Sequence, residues 1–130
     1  MFAVGEHLLG PLNDREIRMT TGFAGGIGGT YLDNCGAFSA GVMIIGGLFG
    51  RTDSEEDDQI CQEMAAKYRD CFRERFGTLI CGELRAEKFG SQGEQPCSIL
   101  VEQASEILLE VIKGYQSDSK VDNARGLEDE

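Results

Sequence analysis

Apolar residues recur with helical spacing over most of the chain. The clearest stripe lies between residues 54 and 76, where every fourth position is apolar: Ile60, Met64, Tyr68 and Phe72. This spacing places the four side chains on one face of a helix. The segment 52–54 supplies capping side chains, and Gly77 ends the pattern. The acidic run at 55–58 would then lie in the first turn, where the helix dipole favours negative charge.

Other helices are predicted on both sides of this one. Residues 2–9 form an apolar helix that Gly10-Pro11 ends, and Asn13 or Asp14 caps a second helix. A short helix over 79–84 carries Cys81, and residues 86–95 are predicted to form a loop. Pro96 begins the last helix, whose apolar stripe runs from Cys97 to Ile112. We expect a helical domain over 1–115 and an acidic, disordered tail over 116–130.

Residues 35–49 are small or apolar on every side, which predicts a central, buried, Gly/Ala-rich helix. No segment alternates polar and apolar residues as a half-buried strand does. The predicted fold is therefore an all-α, single-domain bundle of about five helices. Because so short a chain has few helices to cover a central apolar one, we also expect a homodimer. The apolar stretch 37–49 is shorter than the roughly 20 residues that span a bilayer, so membrane insertion is not expected.

The chain is strongly acidic, with a formal net charge of -11 over 130 residues. Such a surface repels nucleic acids and anionic membranes, because both are bound mainly through Lys and Arg. Part of the acidity is concentrated at 55–58 and 128–130, which fits a helix start and a loose tail. Residues 1–12 lack the basic start and continuous apolar stretch of a signal peptide, so we expect a cytoplasmic, reducing location.

The candidate functional residues are the five cysteines: Cys35, Cys61, Cys71, Cys81 and Cys97. Cys35, Cys81 and Cys97 lie at or near predicted helix starts, where the dipole stabilises a thiolate for metal ligation or redox reactions. Their separations of 46 and 16 residues match no compact zinc or ferredoxin motif. Spacing alone therefore leaves two interpretations open, a metal or redox site and buried structural thiols. Cys61 and Cys71, about 15 Å apart along one helix, cannot share an ion.

Five glycines between residues 22 and 29 predict a turn or very close backbone packing. No strand precedes them and no Gly-Lys-Ser/Thr follows, so a nucleotide-binding loop is not indicated. We expect the glycines either to pack closely or to donate amides towards cluster sulfurs.

The order of these motifs resembles a known family. The first motif is the glycine-rich run Gly22-Phe23-Ala24-Gly25-Gly26-Ile27-Gly28-Gly29. It is followed by Cys35-Gly36-Ala37, Gly41-Val42-Met43 and Gly46-Gly47-Leu48-Phe49-Gly50. The last motifs are Arg75-Phe76-Gly77, Cys81 and Cys97-Ser98-Ile99-Leu100-Val101. This order is similar to that of the redox-active bacterial family named after its C-GCAxxG-C-C cysteine pattern. It also resembles a module of split-Soret cytochromes c, although no haem-attachment C-x-x-C-H is present.

The resemblance implies a helical module in which Cys35, Cys81 and Cys97 ligate an iron–sulfur cluster, with [2Fe–2S] as the candidate form. The family's first cysteine has no counterpart here and by the pattern would precede Met1. Either this chain is truncated or starts at an internal methionine, or the site is incomplete and the chain is in a cofactor-free form. The family motif also places glycine at 40, where this chain has Ala40 followed by Gly41.

The leading hypothesis is an electron-transfer accessory protein, rather than a stand-alone enzyme, that docks a redox partner protein. The first alternative is thiol–disulfide or metal-trafficking chemistry, which predicts Cys81 and Cys97 within disulfide range, with Cα atoms roughly 4.4–6.8 Å apart. The second is a non-catalytic helical dimerisation or interaction module.

Overall fold

The chain folds as a helical bundle. The computed structural model describes residues 2–90 and 95–128. Within these ranges it contains six α-helices and a 3₁₀ turn at Thr21–Phe23, and the all-α prediction is confirmed. The helices are α1 (Phe2–Leu9), α2 (Asp14–Met19), α3 (Gly36–Phe49), α4 (Gln59–Phe76), α5 (Cys81–Glu87) and α6 (Cys97–Glu128).

Three helices form the core. α3, α4 and α6 pack against one another, and α1 packs on α3. The apolar stripe of α4 that the sequence predicts is buried, with Tyr68 and Phe72 fully enclosed. α6 contributes its own buried stripe, including Ala104 and Leu108. α3 is central, and its buried face consists of Ala37, Phe38, Gly41, Ile44 and Ile45.

A cluster of aromatic rings fills the interior. The ring of Phe38 stacks on Tyr68, with centroids 5.5 Å apart, and meets Phe72 edge-on. Phe72 contacts Phe76, which in turn packs edge-on against Phe89. Offset and edge-to-face contacts of this kind add stabilisation beyond the area that they bury. The cluster links the start of α3 to the segment that follows α5.

The start of α4 differs from the sequence prediction. The acidic run at 55–58 does not form the first helical turn, because α4 begins at Gln59. Arg51 holds the residues just before α4 in a turn. Its Nη1 donates to the carbonyls of Ser54 and Glu56, and its Nη2 lies 3.7 Å from Oδ2 of Asp58. These contacts compete with helix formation. At the other end Gly77, with φ +84°, ends the helix as predicted.

The last helix is longer than the sequence predicts. α6 continues past residue 115 as far as Glu128, and the division into a domain over 1–115 and a tail over 116–130 stays a prediction. Residues 91–94 of the predicted loop, and 129–130 at the end, lie outside the described residues. In the described part of the chain, no helix is both long and apolar enough to cross a bilayer.

Candidate functional site

Three helix starts carry the three cysteines that the sequence singles out. Cys35 is the residue before α3, Cys81 is the first residue of α5, and Cys97 is the first residue of α6. Far apart in sequence, all three line one cavity of about 400 Å³. The fold therefore brings the sequence-predicted site residues to one place.

A short antiparallel pairing joins residues 31–35 to residues 79–82. Its centre is a bridge between Asn34 and Ile80. Three backbone hydrogen bonds hold it: Cys35 N to Leu79 O (2.7 Å), Cys81 N to Asp33 O (2.9 Å) and Gly82 N to Tyr31 O (2.8 Å). The pairing fixes the start of α3 beside the start of α5.

This pairing also sets the relation between Cys35 and Cys81. Cys35 is opposite Leu79, so Cys81 is its diagonal neighbour, and both side chains leave the same face of the pairing. Diagonal neighbours lie roughly 7–8 Å apart, whereas the Cα atoms of a disulfide lie roughly 4.4–6.8 Å apart. Both thiols are free. The arrangement thus suits a group that bridges the two sulfurs better than a direct S–S bond.

The glycine-rich segment forms a left-handed turn against this pairing. From Gly25 to Gly29, five consecutive residues have φ between +64° and +69°, a region that favours glycine. A Cβ at Gly26 would lie 2.7 Å from the Cβ of Cys81 and 2.9 Å from the carbonyl oxygen of Asp33. Only glycine permits this approach, so the predicted close packing is confirmed. Donation of these amides to cluster sulfurs stays a prediction.

The cavity is mostly apolar and only partly open. Its apolar walls come from the 3₁₀ turn, α5, the segment that follows α5, and α6: Phe23, Leu84, Phe89, Leu100 and Val101. Cys81 is 8% exposed, Cys35 is half-buried and Cys97 is exposed, so the cavity reaches solvent beside Cys97. Among its described lining residues, Arg85 is the one with a charged side chain.

Burial raises the pKa of the Cys35 thiol, because the apolar surroundings disfavour a thiolate. The amides of Ala37 and Phe38 oppose this rise, since they favour negative charge at the start of α3, although neither makes a regular cap hydrogen bond. Negative charge on Cys81 or Cys97 would add to the rise. The three thiols therefore affect one another electrostatically.

Cys81 experiences the same opposing influences. Burial raises the pKa of its thiol, Arg85 opposes the rise, and a charge on Cys97 adds to it. Burial thus favours the neutral thiols of Cys35 and Cys81 unless a cation compensates the negative charge. A bound metal provides such compensation and deprotonates its thiol ligands.

Cys61 and Cys71 lie elsewhere. Both are half-buried on α4 and pack against the hydrophobic core. Cys71 lines a separate groove between α4 and α6. Their placement against the core fits a structural role.

Sequence reasoning missed two residues beside the cysteines. Arg85 lines the cavity, and its guanidinium lies over the ring of Tyr31. The four-residue spacing of Cys81 and Arg85 was an available signal, because residues i and i+4 share a helix face. Tyr31 has no comparable signal, since its position follows from the pairing with Gly82.

In the described ranges 2–90 and 95–128, no three His, Cys, Asp or Glu side chains are already placed to hold one metal ion.

Comparison with known proteins agrees with the order of the motifs. A family model described as "Putative redox-active protein (C_GCAxxG_C_C)" matches residues 1–111. None of the curated proteins and none of the solved structures matches the chain. The matched region contains the glycine turn and all three cysteines of the cavity. The chain therefore belongs to the C_GCAxxG_C_C family of redox-active proteins.

Proposed function

We propose that this chain is an electron-transfer accessory protein that holds an iron–sulfur cluster, with [2Fe–2S] as the candidate form, between Cys35, Cys81 and Cys97. The observation that supports it is the shared cavity, which all three thiols line. Thiolates are the usual ligands of iron–sulfur clusters. Membership in a redox-active family supports the same class of function.

The residues present fit a cluster better than a single ion. A cavity of about 400 Å³ is more than ten times the roughly 30 Å³ that one water molecule occupies in the liquid. Cys35 and Cys81, as diagonal neighbours, are the two residues of the backbone pairing that would hold the cluster. The same relation weighs against thiol–disulfide chemistry between these two residues. The predicted approach of Cys81 and Cys97 stays a prediction.

The chain's own residues have three roles in this proposal. The cysteines bind, the apolar wall of Leu84, Leu100 and Val101 limits access of water, and the first amides of α3 stabilise negative charge at Cys35. When bound, the cluster supplies reversible one-electron exchange. Three protein thiolates leave one ligand position, which a solvent thiol or another donor would fill. Without that ligand the chain remains in a cofactor-free form.

Electrons would be exchanged with a docked redox partner protein near Cys97, since the cavity opens there. We retain a cytoplasmic location and a homodimer as parts of the same proposal. Size-exclusion chromatography with light scattering tests the dimer directly, and a monomeric mass would contradict it.

Anaerobic reconstitution with iron and sulfide in the presence of a small thiol tests the proposal. We expect stoichiometric iron and inorganic sulfide in the wild-type chain, with loss of most of both in Cys35→Ser, Cys81→Ser and Cys97→Ser. The matched controls are Cys61→Ser and Cys71→Ser, which should load normally. Absence of iron and sulfide from the wild type, or equal loading of all five variants, would contradict it.

A further inference from the structure

Arg85 occupies a defined position in the wall of the cysteine cavity. It follows Cys81 by four residues on α5, so both side chains lie on one face of the helix. Its guanidinium carbon lies 4.5 Å from the centroid of the Tyr31 ring, within the range of a cation–π contact. The guanidinium therefore has an aromatic platform beside the buried thiol.

Two residues with positive φ, Tyr31 and Gly90, lie beside the Arg85 side chain. Tyr31 has φ +63°, and its carbonyl accepts a hydrogen bond from Gly82 at 2.8 Å. Gly90 has φ +89°, and a Cβ there would lie 3.2 Å from Cζ of Arg85. Positive φ is uncommon for a residue other than glycine, so the backbone strain lies at Tyr31. Tyr31 places its ring under the guanidinium, and Gly90 leaves the space beside it that a Cβ would crowd.

We propose that Arg85 is a positioning residue that holds a permanent positive charge beside Cys81 and compensates the negative charge of the cysteine site. This inference rests on the proposed function. A guanidinium suits the role because it stays protonated at every pH at which the protein folds. In a poorly hydrated cavity, a cation stabilises the more negative of two states. Arg85 should therefore favour the reduced cluster and attract small anions to Cys81.

The first test is the reduction potential of the iron-loaded protein. We expect Arg85→Gln to make the potential more negative, because the reduced state loses a compensating charge. Arg85→Lys should keep the potential nearer to that of the wild type. Arg69→Gln is the matched control, since it removes the same charge from the surface of α4. A potential unchanged in Arg85→Gln, or shifted equally in Arg69→Gln, would overturn the inference.

The second test uses the chain without iron and compares two alkylating reagents at Cys81. The rate with anionic iodoacetate is divided by the rate with neutral iodoacetamide at one pH, which cancels the thiolate fraction. Arg85→Gln should lower this ratio about two- to five-fold at low ionic strength, as a nearby unit charge in water predicts. Peptide mass spectrometry reads both rates, with Cys61 as the internal reference.

Two further variants complete this second test. Arg85→Lys should preserve the ratio, and Gly90→Ala should lower it while retaining the charge, because the added methyl displaces the guanidinium. A ratio that is the same in wild type and Arg85→Gln would refute the role of Arg85. A chain that binds no iron but shows the ratio change would refute the proposed function and support the charge placement.

Discussion

Gly41 of α3 lies directly against the ring of Tyr68 of α4. A Cβ at position 41 would lie 2.5 Å from Cε1 and 2.7 Å from the hydroxyl oxygen of Tyr68. Phe38 stacks on the same ring. Two core helices therefore approach each other at a position where the sequence provides no side chain.

We expect Gly41→Ala to lower the free energy of unfolding by about 1–3 kcal/mol, because the new methyl overlaps a fully buried ring. Urea denaturation followed by circular dichroism measures the change. Gly46→Ala on the same helix is the matched control: apart from its chain neighbours and the surrounding backbone of α3, no atom lies within 4 Å of the added Cβ. That variant should gain about 0.5–1 kcal/mol from helix propensity. Equal effects of the two substitutions would show that the Tyr68 contact is unimportant.

Ile27 is the β-branched residue in the left-handed turn, with φ +69° and 49% exposure. We expect Ile27→Gly to stabilise the fold by about 1 kcal/mol or less, since relief of strain exceeds the added chain entropy. Ile60→Gly, at a similarly exposed position on α4, should destabilise by about 1 kcal/mol. Thermal melts of both variants test the opposite signs. Destabilisation by Ile27→Gly would mean that contacts of the Ile27 side chain stabilise the fold by more than its backbone strain destabilises it.

The thiols should differ in reactivity according to their exposure. In the chain without iron, Cys97 should react first with iodoacetamide, because Cys35 is half-buried and Cys81 is buried. Burial also raises the pKa of both slower thiols, which reduces their thiolate fractions. Quenched time points analysed by peptide mass spectrometry give the order. Faster reaction of Cys81 than of Cys97 would contradict the described cavity.

Tyr68 should make the fold sensitive to alkali. Burial raises its pKa above the ordinary value of 10.0, and negative charge on Cys35 adds to the rise. Above pH 10 the unfolded chain loses the Tyr68 proton while the folded chain keeps it, so stability falls as pH rises. Tyr68→Phe should remove part of this fall and leave the pH dependence below 9 unchanged. Urea denaturation at several pH values measures both slopes, and identical slopes in the two proteins would refute the assignment.

The helices were largely predictable, because their apolar stripes and end signals are local. The capping box at α2, in which Asn13 and Glu16 exchange hydrogen bonds, is an example. The start of α4 was not predictable, since residues 52–54 carry capping side chains and only the contacts of Arg51 show that they form a turn instead.

The candidate site was predictable in its residues and not in its geometry. Family-like motifs identify Cys35, Cys81 and Cys97, but the meeting of Cys35 and Cys81 depends on the pairing around Asn34 and Ile80. That pairing joins segments far apart in sequence and involves too few residues to produce an alternating pattern.

The cysteines' positions at three separate helix starts couple assembly of the site to folding. The three cysteines are 46 and 16 residues apart in sequence, so an unfolded chain offers isolated thiols and no chelate. A ligand that binds all three would bind the native state and add its binding free energy to stability. Loading should thus raise the denaturation midpoint in proportion to the logarithm of free ligand concentration. The occupancy of the cysteine site and the unfolding of the chain are then linked, so a measurement of one reports on the other.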